Sequence, residues 1–199
     1  MKYRILNKKK IFGEFFHINK IELLIERFHE KDQIEIKRYH LERPEVVAVI
    51  LENHQTGDIV MVEQFRYSSI KKTQNNGWML EIIGGIVDKG ETPEECAKRE
   101  CLEETGYEIE NPVLLTSYFA SAGFSNELLH LYYAKISPKN KIAPGGGVRE
   151  ENEDILVREI PFNKLLESVR TGELTDSKTI IALQWLALEK TNDKAGLTN

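Results

Sequence analysis

Three acidic residues, Glu100, Glu103 and Glu104, lie close together in a stretch that favours a helix. Their i, i+3 and i+4 spacing places the carboxylates within about 100° of one side of an α-helix. Carboxylates at this spacing repel one another, so the stretch is either a solvated acidic face or a cation site. The oxygen ligands would suit a hard divalent cation, Mg²⁺ or Mn²⁺.

The helix that carries these acids has clear end signals. Thr92 is a good N-cap, Pro93 suits the first helical position, and Glu95 completes a capping box. Gly106 stands where a glycine commonly ends a helix. The apolar residues 78–83 favour a strand that enters a glycine turn before the helix. We therefore expect the acids to line a cleft at the strand end, which favours the cation site.

The stretch from Gly84 to Tyr107, GGIVDKGETPEECAKRECLEETGY, resembles the Nudix box. That motif is the signature of hydrolases of nucleoside diphosphates linked to another group. Two apolar positions depart mildly from it, with cysteine in one and tyrosine in the other. The glycine and charged positions of the motif are filled by Gly85, Glu91, Arg99, Glu100, Glu103, Glu104 and Gly106.

Within the Nudix family, the chain is most similar to the ADP-ribose and nucleoside diphosphate sugar pyrophosphatases. The resemblance implies an α+β fold, a Nudix α/β/α sandwich with a mixed central sheet. It also implies a small N-terminal antiparallel β-sheet that is used in dimerisation, and a metal-dependent enzyme. We expect the domain to occupy residues 44–190, after an N-terminal sheet extension at 1–43 and before a flexible tail at 191–199.

The resemblance also implies roles for particular residues. The metal, expected to be Mg²⁺ or Mn²⁺, would be held by Glu100, Glu104 and the carbonyl of Gly84, with Glu103 as a further candidate. Arg99 would orient these carboxylates through an ion pair.

A second acidic stretch, Glu-Asn-Glu-Asp-Ile at 151–155, is similar to the late loop of ADP-ribose pyrophosphatases that carries catalytic acids. By that match Glu151 is the general base and Glu153 reaches a metal. Alone, such a run is most often a solvated loop. The glycines at 145–147 precede it and predict a flexible loop that could close over a substrate.

Substrate contacts are expected before the box. Glu63-Gln64-Phe65-Arg66 resembles the Glu-Gln-X-Arg segment of these enzymes, in which the arginine faces the substrate phosphates. A guanidinium fork suits phosphate oxygens, although an ordinary ion pair at a strand end would also explain Arg66. Glu81 lies in an otherwise apolar strand, and two interpretations stay open: a paired core acid, or a hydrogen bond to a substrate ribose.

Residues 1–43 read as four short strand segments with a turn near residues 30–32. So small a sheet cannot form its own core. In the nucleotide-sugar branch of the family this region pairs with its partner subunit, which implies a homodimer. Phe15, Phe16 and Arg38 lie there, and one phenylalanine could stack on the substrate's base; packing within the sheet is the alternative for each.

Composition excludes several other classes of protein. The chain has 199 residues, is 41% hydrophobic and carries a net charge of −5. This net charge gives no reason to expect nucleic-acid binding, which usually shows as a basic patch. The longest aliphatic run, residues 46–51, is too short to cross a bilayer, and the N-terminus does not resemble a signal peptide. Cys96 and Cys101 share one helix and cannot bridge easily, which favours a reducing cytoplasm.

The expected activity is metal-dependent hydrolysis of a nucleoside diphosphate sugar at its pyrophosphate bond, with ADP-ribose giving AMP and ribose 5-phosphate. GDP-mannose, or a broad range of nucleotide sugars, is the alternative. Ala122, in a slot where ADP-ribose enzymes commonly carry proline, and the triple glycine favour that alternative. A non-catalytic nucleotide-sugar sensor is a third hypothesis, against which the retained acids argue. Metal-dependent turnover separates the sensor from the enzymes.

Overall fold

The structure is a computed structural model that describes residues 2–14, 16–30, 32–72 and 75–195. Within these ranges the chain forms ten strands and three α-helices. It divides into two compact units, one of residues 1–45 with 118–129, the other of residues 46–117 with 130–199. No helix among the described residues is long and apolar enough to cross a membrane.

The first unit is built on a three-stranded antiparallel sheet, as predicted. Its strands are β1 (Tyr3–Gly13), β2 (His17–Glu26) and β3 (Gln33–Glu42), in the order β1-β2-β3. They are longer than the short segments expected from the sequence, and the pairing of β1 with β2 contains two register shifts. Residues 118–129 dock at the end of β3, where the amide of Leu41 donates to the carbonyl of Phe124 at 2.7 Å.

The second unit contains the mixed central sheet. A path of five neighbouring strands runs β10-β5-β4-β9-β8, while β6 pairs with β5 and β7 pairs with β4. One continuous strand was expected over residues 78–83. That prediction was wrong in detail, because the segment forms two strands on either side of Ile82. The first, β6, pairs with β5, and the second, β7, pairs with β4. The strands are β4 (Val46–Asn53), β5 (Asp58–Phe65), β6 (Trp78–Glu81), β7 (Ile83–Ile86), β8 (Val113–Phe119), β9 (Leu128–Ile136) and β10 (Leu156–Pro161).

Helix α1 (Pro93–Glu100) begins with the predicted capping box. The Thr92 hydroxyl accepts from the Glu95 amide at 3.3 Å, and the Glu95 carboxylate accepts from the Thr92 amide at 2.8 Å. The expected all-α helix was wrong at its end, because residues 101–105 form a π-helical turn. There the Thr105 hydroxyl donates to the Cys101 carbonyl and competes with the α-helical hydrogen bond. Gly106 ends the turn in the left-handed conformation.

The two remaining helices follow the last strand. They are α2 (Phe162–Thr171) and α3 (Ser177–Ala195). Residues 191–195, which the sequence analysis assigned to a flexible tail, are therefore helical, because α3 continues through them. Residues 196–199 lie outside the described part of the chain.

The core of the second unit lies on both faces of the sheet. Val47, Val49 and Leu51 of β4 pack in one cluster with Cys96 and Ala97 of α1. Alternate residues of the same strand point to the opposite face, on the side where α3 contacts β4. This arrangement confirms the predicted α/β/α sandwich and leaves the end of α1 beside strand β7.

Candidate active site

Two of the predicted metal ligands are buried where α1 and its π-helical turn meet β7. The exposed fraction is 7% for Glu100 and 1% for Glu104. The amide of Gly84 donates to Glu104 Oε2 at 3.3 Å. A Cβ atom on Gly85 would lie 1.8 Å from Glu100 Oε1, so only glycine admits this carboxylate against the strand. The backbone of β7 thus forms one wall of the site.

The electrostatic setting of these carboxyls is unfavourable for charge. Burial raises the pKa of Glu100 to about 7, although Arg99 acts in the opposite direction. Burial and then the charge of Glu100 raise the pKa of Glu104 well above its ordinary value. Buried acids of this kind are stabilised either by a proton or by a cation. Binding of a cation would therefore stabilise the charged form of both carboxyls.

Arg99 connects the acids to the loop before α1. Its Nε and Nη2 atoms bind the two carboxylate oxygens of Glu91 at 2.9 and 3.0 Å. Its Nη1 atom binds Glu100 at 2.6 Å and Glu103 at 3.0 Å. The hydrogen bond to Glu91 is the main reason that the pKa of Arg99 lies above its ordinary value. The guanidinium therefore binds two of the predicted metal ligands, and its role in orienting them for a metal stays a prediction.

The late loop brings one of its acids to the cluster. The charge of Glu153 contributes to the raised pKa of both Glu100 and Glu104, after the effect of burial. Its Oε2 atom accepts from the amide of Val148 at 3.0 Å. Glu151 instead is exposed at the end of a short 3₁₀ turn. Glu153 thus acts electrostatically on the box acids, while its contact with a metal and the role of Glu151 as general base both stay predictions.

The chemistry of these donors suits a cation, although their side chains are not arranged around a metal site in this structure. Among the described residues, no group of three or more His, Cys, Asp or Glu side chains is arranged to hold a metal ion. Arg99 holds Glu100 and Glu103, so those oxygens are turned towards a guanidinium. The donors are carboxylates throughout, and two of them are buried with raised pKa values. An oxygen set with this charge suits a hard divalent cation.

The predicted phosphate ligand, Arg66, is held by a buried acid. Its Nε and Nη2 atoms bind Glu81 at 3.0 and 2.9 Å, and Lys178 Nζ lies 2.6 Å from the same carboxylate. Burial would raise the pKa of Glu81, but Arg66 and Lys178 outweigh it and hold that pKa below its ordinary value. Glu81 is thus paired in this structure, while its contact with a ribose stays a prediction.

Lys178 was missed by the sequence analysis. It lies near the start of α3, and 97 residues separate it from Glu81 in the sequence. Its Nζ atom also lies 3.0 Å from Asp176. Asp176 caps α3, because its carboxylate accepts from the Thr179 amide at 3.0 Å. No local pattern in the sequence indicates where a lysine two residues after this cap reaches.

The predicted base-stacking residues belong to the first unit. Phe15 lies outside the described residues. The guanidinium of Arg43 lies 4.5 Å from the ring centroid of Phe16. Arg38 is exposed on β3 and donates to the carbonyl of Lys37 at 2.9 Å. Their role in binding a nucleobase stays a prediction.

Comparison with known proteins gives three findings. The family model described as NUDIX domain matches residues 42–183. The chain is 33% identical over 189 residues to the GDP-mannose pyrophosphatase of Shigella flexneri serotype 5b, covering 94% of this chain and 97% of the relative. It is 34% identical over 184 residues to the GDP-mannose pyrophosphatase of Escherichia coli O157:H7, covering 92% and 94%.

A solved structure described as "Crystal structure of ADP compounds hydrolase" superposes with a TM-score of 0.72, covering 100% of this chain and 98% of that one. At 16% sequence identity this likeness shows the fold. The family model covers most of the chain, and the relatives match it nearly end to end. Together with the filled glutamate motif, these matches show that the chain belongs to the Nudix family and is a Nudix hydrolase.

Proposed function

We propose that the protein hydrolyses nucleoside diphosphate sugars at the pyrophosphate bond, releasing a nucleoside monophosphate and a sugar phosphate. The observation that carries the proposal is the pair of buried carboxyls, Glu100 and Glu104, whose raised pKa values favour the binding of a cation. Relatives named as pyrophosphatases of a nucleotide sugar match the chain over almost its full length, which supports the same class of substrate.

Nudix hydrolases generally need divalent metal ions, and we propose Mg²⁺, with Mn²⁺ as a substitute. The donors would be Glu100, Glu104 and Glu153, the carbonyl of Gly84, and Glu103 after release from Arg99. When bound, such ions neutralise phosphate charge and lower the pKa of a coordinated water.

The protein groups have separate tasks in this proposal. Arg99 keeps the box carboxylates oriented through its ion pairs with Glu91, Glu100 and Glu103. Arg66, whose side chain is 44% exposed, presents its guanidinium to the substrate phosphates while Glu81 fixes its orientation. Glu151 takes the proton of the attacking water.

Two nucleoside diphosphate sugars, GDP-mannose and ADP-ribose, are candidates for the preferred substrate. The late-loop motif resembles that of ADP-ribose enzymes, which makes ADP-ribose the first expectation from the sequence. The relatives named GDP-mannose pyrophosphatase cover the whole architecture, including the N-terminal unit, and the triple glycine is consistent with them. We therefore place GDP-mannose first and ADP-ribose second.

The deciding experiment is a substrate panel in Mg²⁺ with product identification by ³¹P NMR. We expect GMP and mannose 1-phosphate from GDP-mannose at a higher kcat/KM than AMP and ribose 5-phosphate from ADP-ribose. Comparable values would show a generalist, and the reverse order would restore ADP-ribose. Binding without cleavage of any member would contradict the enzyme and favour the sensor. EDTA and Glu104→Gln serve as the inactive controls.

We further propose that the first unit mediates homodimer formation. Its strand β1 is exposed along its whole length and carries large apolar side chains, among them Tyr3, Ile5 and Phe12. Exposed apolar surface of this kind marks interaction sites. A second copy of the chain is the proposed partner, with residues 1–43 as the dimerisation element and residues 44–190 as the hydrolase domain.

A further inference from the structure

The three consecutive glycines, Gly145–Gly147, are bound to the end of the helix that carries the box acids. The amide of Gly146 donates to the carbonyl of Glu104 at 2.9 Å, and the amide of Gly147 donates to the carbonyl of Glu103 at 3.0 Å. Carbonyls at the end of a helix lack partners within it. Here a segment about forty residues later in the chain supplies them. The sequence predicts a flexible loop at this place, and these hydrogen bonds correct that prediction.

Side chains are excluded at this contact. Gly145 has φ +71°, and a Cβ atom there would lie 2.5 Å from the carbonyl carbon of Thr105 and 2.7 Å from its Cα. Gly147 has φ +83°, and a Cβ atom there would lie 2.6 Å from the Cβ of Glu153. Both the left-handed backbone and the close approach require glycine. The glycine run therefore lies against the helix end on one side and against the late acid on the other.

The segment that follows the glycines also holds Glu153, the late-loop acid. The carbonyl of Gly146 accepts from the amide of Ile155 at 3.2 Å, and the carbonyl of Val148 accepts from the amide of Glu153 at 3.3 Å. The Val148 amide in turn donates to the Glu153 carboxylate at 3.0 Å. The backbone amide and the carboxylate of Glu153 are thus both held by Val148, which directly follows the glycines that donate to the carbonyls of Glu103 and Glu104.

We propose that Gly145–Gly147 is a backbone clip that positions Glu153 against the buried carboxyls of Glu100 and Glu104. The clip ties the late loop to the helix end, so the acids from two distant parts of the sequence keep a fixed spacing. This inference rests on the proposed metal role of those acids. The glycines themselves act only through the backbone, as positioning residues, and Glu153 is the group through which they act.

The first test compares Gly145→Ala with Gly57→Ala. Gly57 has φ +75° and no heavy atom within 4 Å of its Cβ position, so it carries the same backbone strain without the clash. Mn²⁺ affinity is titrated calorimetrically, and thermal unfolding is followed in EDTA. We expect Gly145→Ala to weaken Mn²⁺ binding by roughly 10–100-fold, the range for groups that orient metal ligands. Gly57→Ala should retain wild-type affinity. A folded Gly145→Ala protein that binds Mn²⁺ like the wild type would overturn the clip.

The second test asks whether the clip acts through Glu153. Gly145→Ala is introduced into a Glu153→Gln background, and the loss in Mn²⁺ affinity is measured again. Because the positioned carboxylate is already absent, we expect the added change to be within about twofold. A further loss equal to that in the wild-type background would show that the glycines act on the helix and not through Glu153.

The third test does not depend on any variant folding. Hydrogen–deuterium exchange of the wild-type protein in EDTA reports whether the amides of Gly146 and Gly147 are hydrogen-bonded. We expect both to be protected, and exchange at the rate of a free loop would sink the proposal. This readout needs no turnover, so a failed substrate panel with protected amides would reject the proposed function and leave the docking of the clip standing.

Discussion

At the scale of residues, the site is defined by charges that are costly to bury. Glu100 and Glu104 have raised pKa values because they are removed from water, while Glu81 has a lowered one because Arg66 and Lys178 surround it. Glu100 shares the single guanidinium of Arg99 with Glu91 and Glu103, whereas Glu81 is bound by both Arg66 and Lys178. Added positive charge is therefore favourable beside Glu100 and Glu104, while Glu81 already has its partners in the protein.

The substitution Glu104→Gln separates charge from shape at the most buried of these acids. The amide oxygen of glutamine can still accept from the Gly84 amide, so we expect the thermal midpoint in EDTA to stay near that of the wild type. Loss of the ligand charge removes several kcal/mol of transition-state stabilisation, which corresponds to about a thousandfold in kcat or more. Steady-state kinetics and thermal unfolding measure both effects. The exposed Glu110→Gln is the control, and near-normal turnover of Glu104→Gln would refute the metal role.

The pKa of Glu81 leads to a prediction about acid stability. Its folded pKa lies below the ordinary value of 4.5, so the folded state binds fewer protons than the unfolded state in that window. The stabilisation is therefore present above pH 4.5 and is lost as the pH falls through the folded pKa. Urea unfolding in EDTA at several pH values should show that Glu81→Gln loses less stability on acidification than the wild type. Parallel pH profiles for the two proteins would contradict this account.

At the scale of elements, α3 matters because its first turn delivers Lys178 to Glu81. Lys178→Met keeps the apolar stem and removes the ammonium, so the Glu81 carboxylate keeps only Arg66. We expect the free energy of unfolding to fall by about 1–3 kcal/mol, the cost of removing one partner of a buried polar group. We also expect KM to rise about tenfold with a smaller change in kcat, because the proposed contact of Arg66 with phosphate would be made both in the bound substrate and in the transition state.

The exposed Lys164→Met on α2 is the matched control for that change, and Lys178→Arg should restore part of the affinity. A Lys178→Met protein with reduced stability and an unchanged KM would assign the lysine a structural role only. Steady-state kinetics on the preferred substrate and urea unfolding separate the two outcomes.

The sequence predicts those elements whose signals are local. The capping box at Thr92 and the glycine that ends the box helix are each encoded within a few residues, and each is observed. The π-helical turn was missed because a single hydroxyl, that of Thr105, has no periodic signature. The docked triple glycine was read as a flexible loop, since glycine has the same local preferences in a free loop and in a tight contact.

Among the site residues, too, those with a local signal in the sequence were predicted and those without one were not. Glu100, Glu103 and Glu104 were found because their spacing is a helical one, and Glu81 was noticed as an acid in an apolar strand. The contact of Lys178 with Glu81 depends on where α3 is placed in the fold, which no spacing in the sequence encodes. Tertiary contacts of this range appear only when the sheet and helix are placed together.

At the scale of the whole molecule, the first unit is the part whose stability is least explained by the chain alone. Every residue of β1 is exposed, although the strand carries several large apolar side chains. A three-stranded sheet needs a packed apolar face to be stable. A second copy of the chain would supply that face and bury the apolar side chains of β1.

The last prediction follows from that exposed strand. In sedimentation velocity, the wild-type protein should have twice the chain mass of 23.0 kDa. The double substitution Ile5→Glu with Phe12→Glu places charges among apolar side chains that a dimer would bury, so we expect it to sediment as a monomer. Leu188→Glu, at an exposed apolar position on α3, is the control and should leave the dimer intact. A wild-type protein that sediments as a monomer, or a double variant that stays dimeric, would place the dimer contact elsewhere or nowhere.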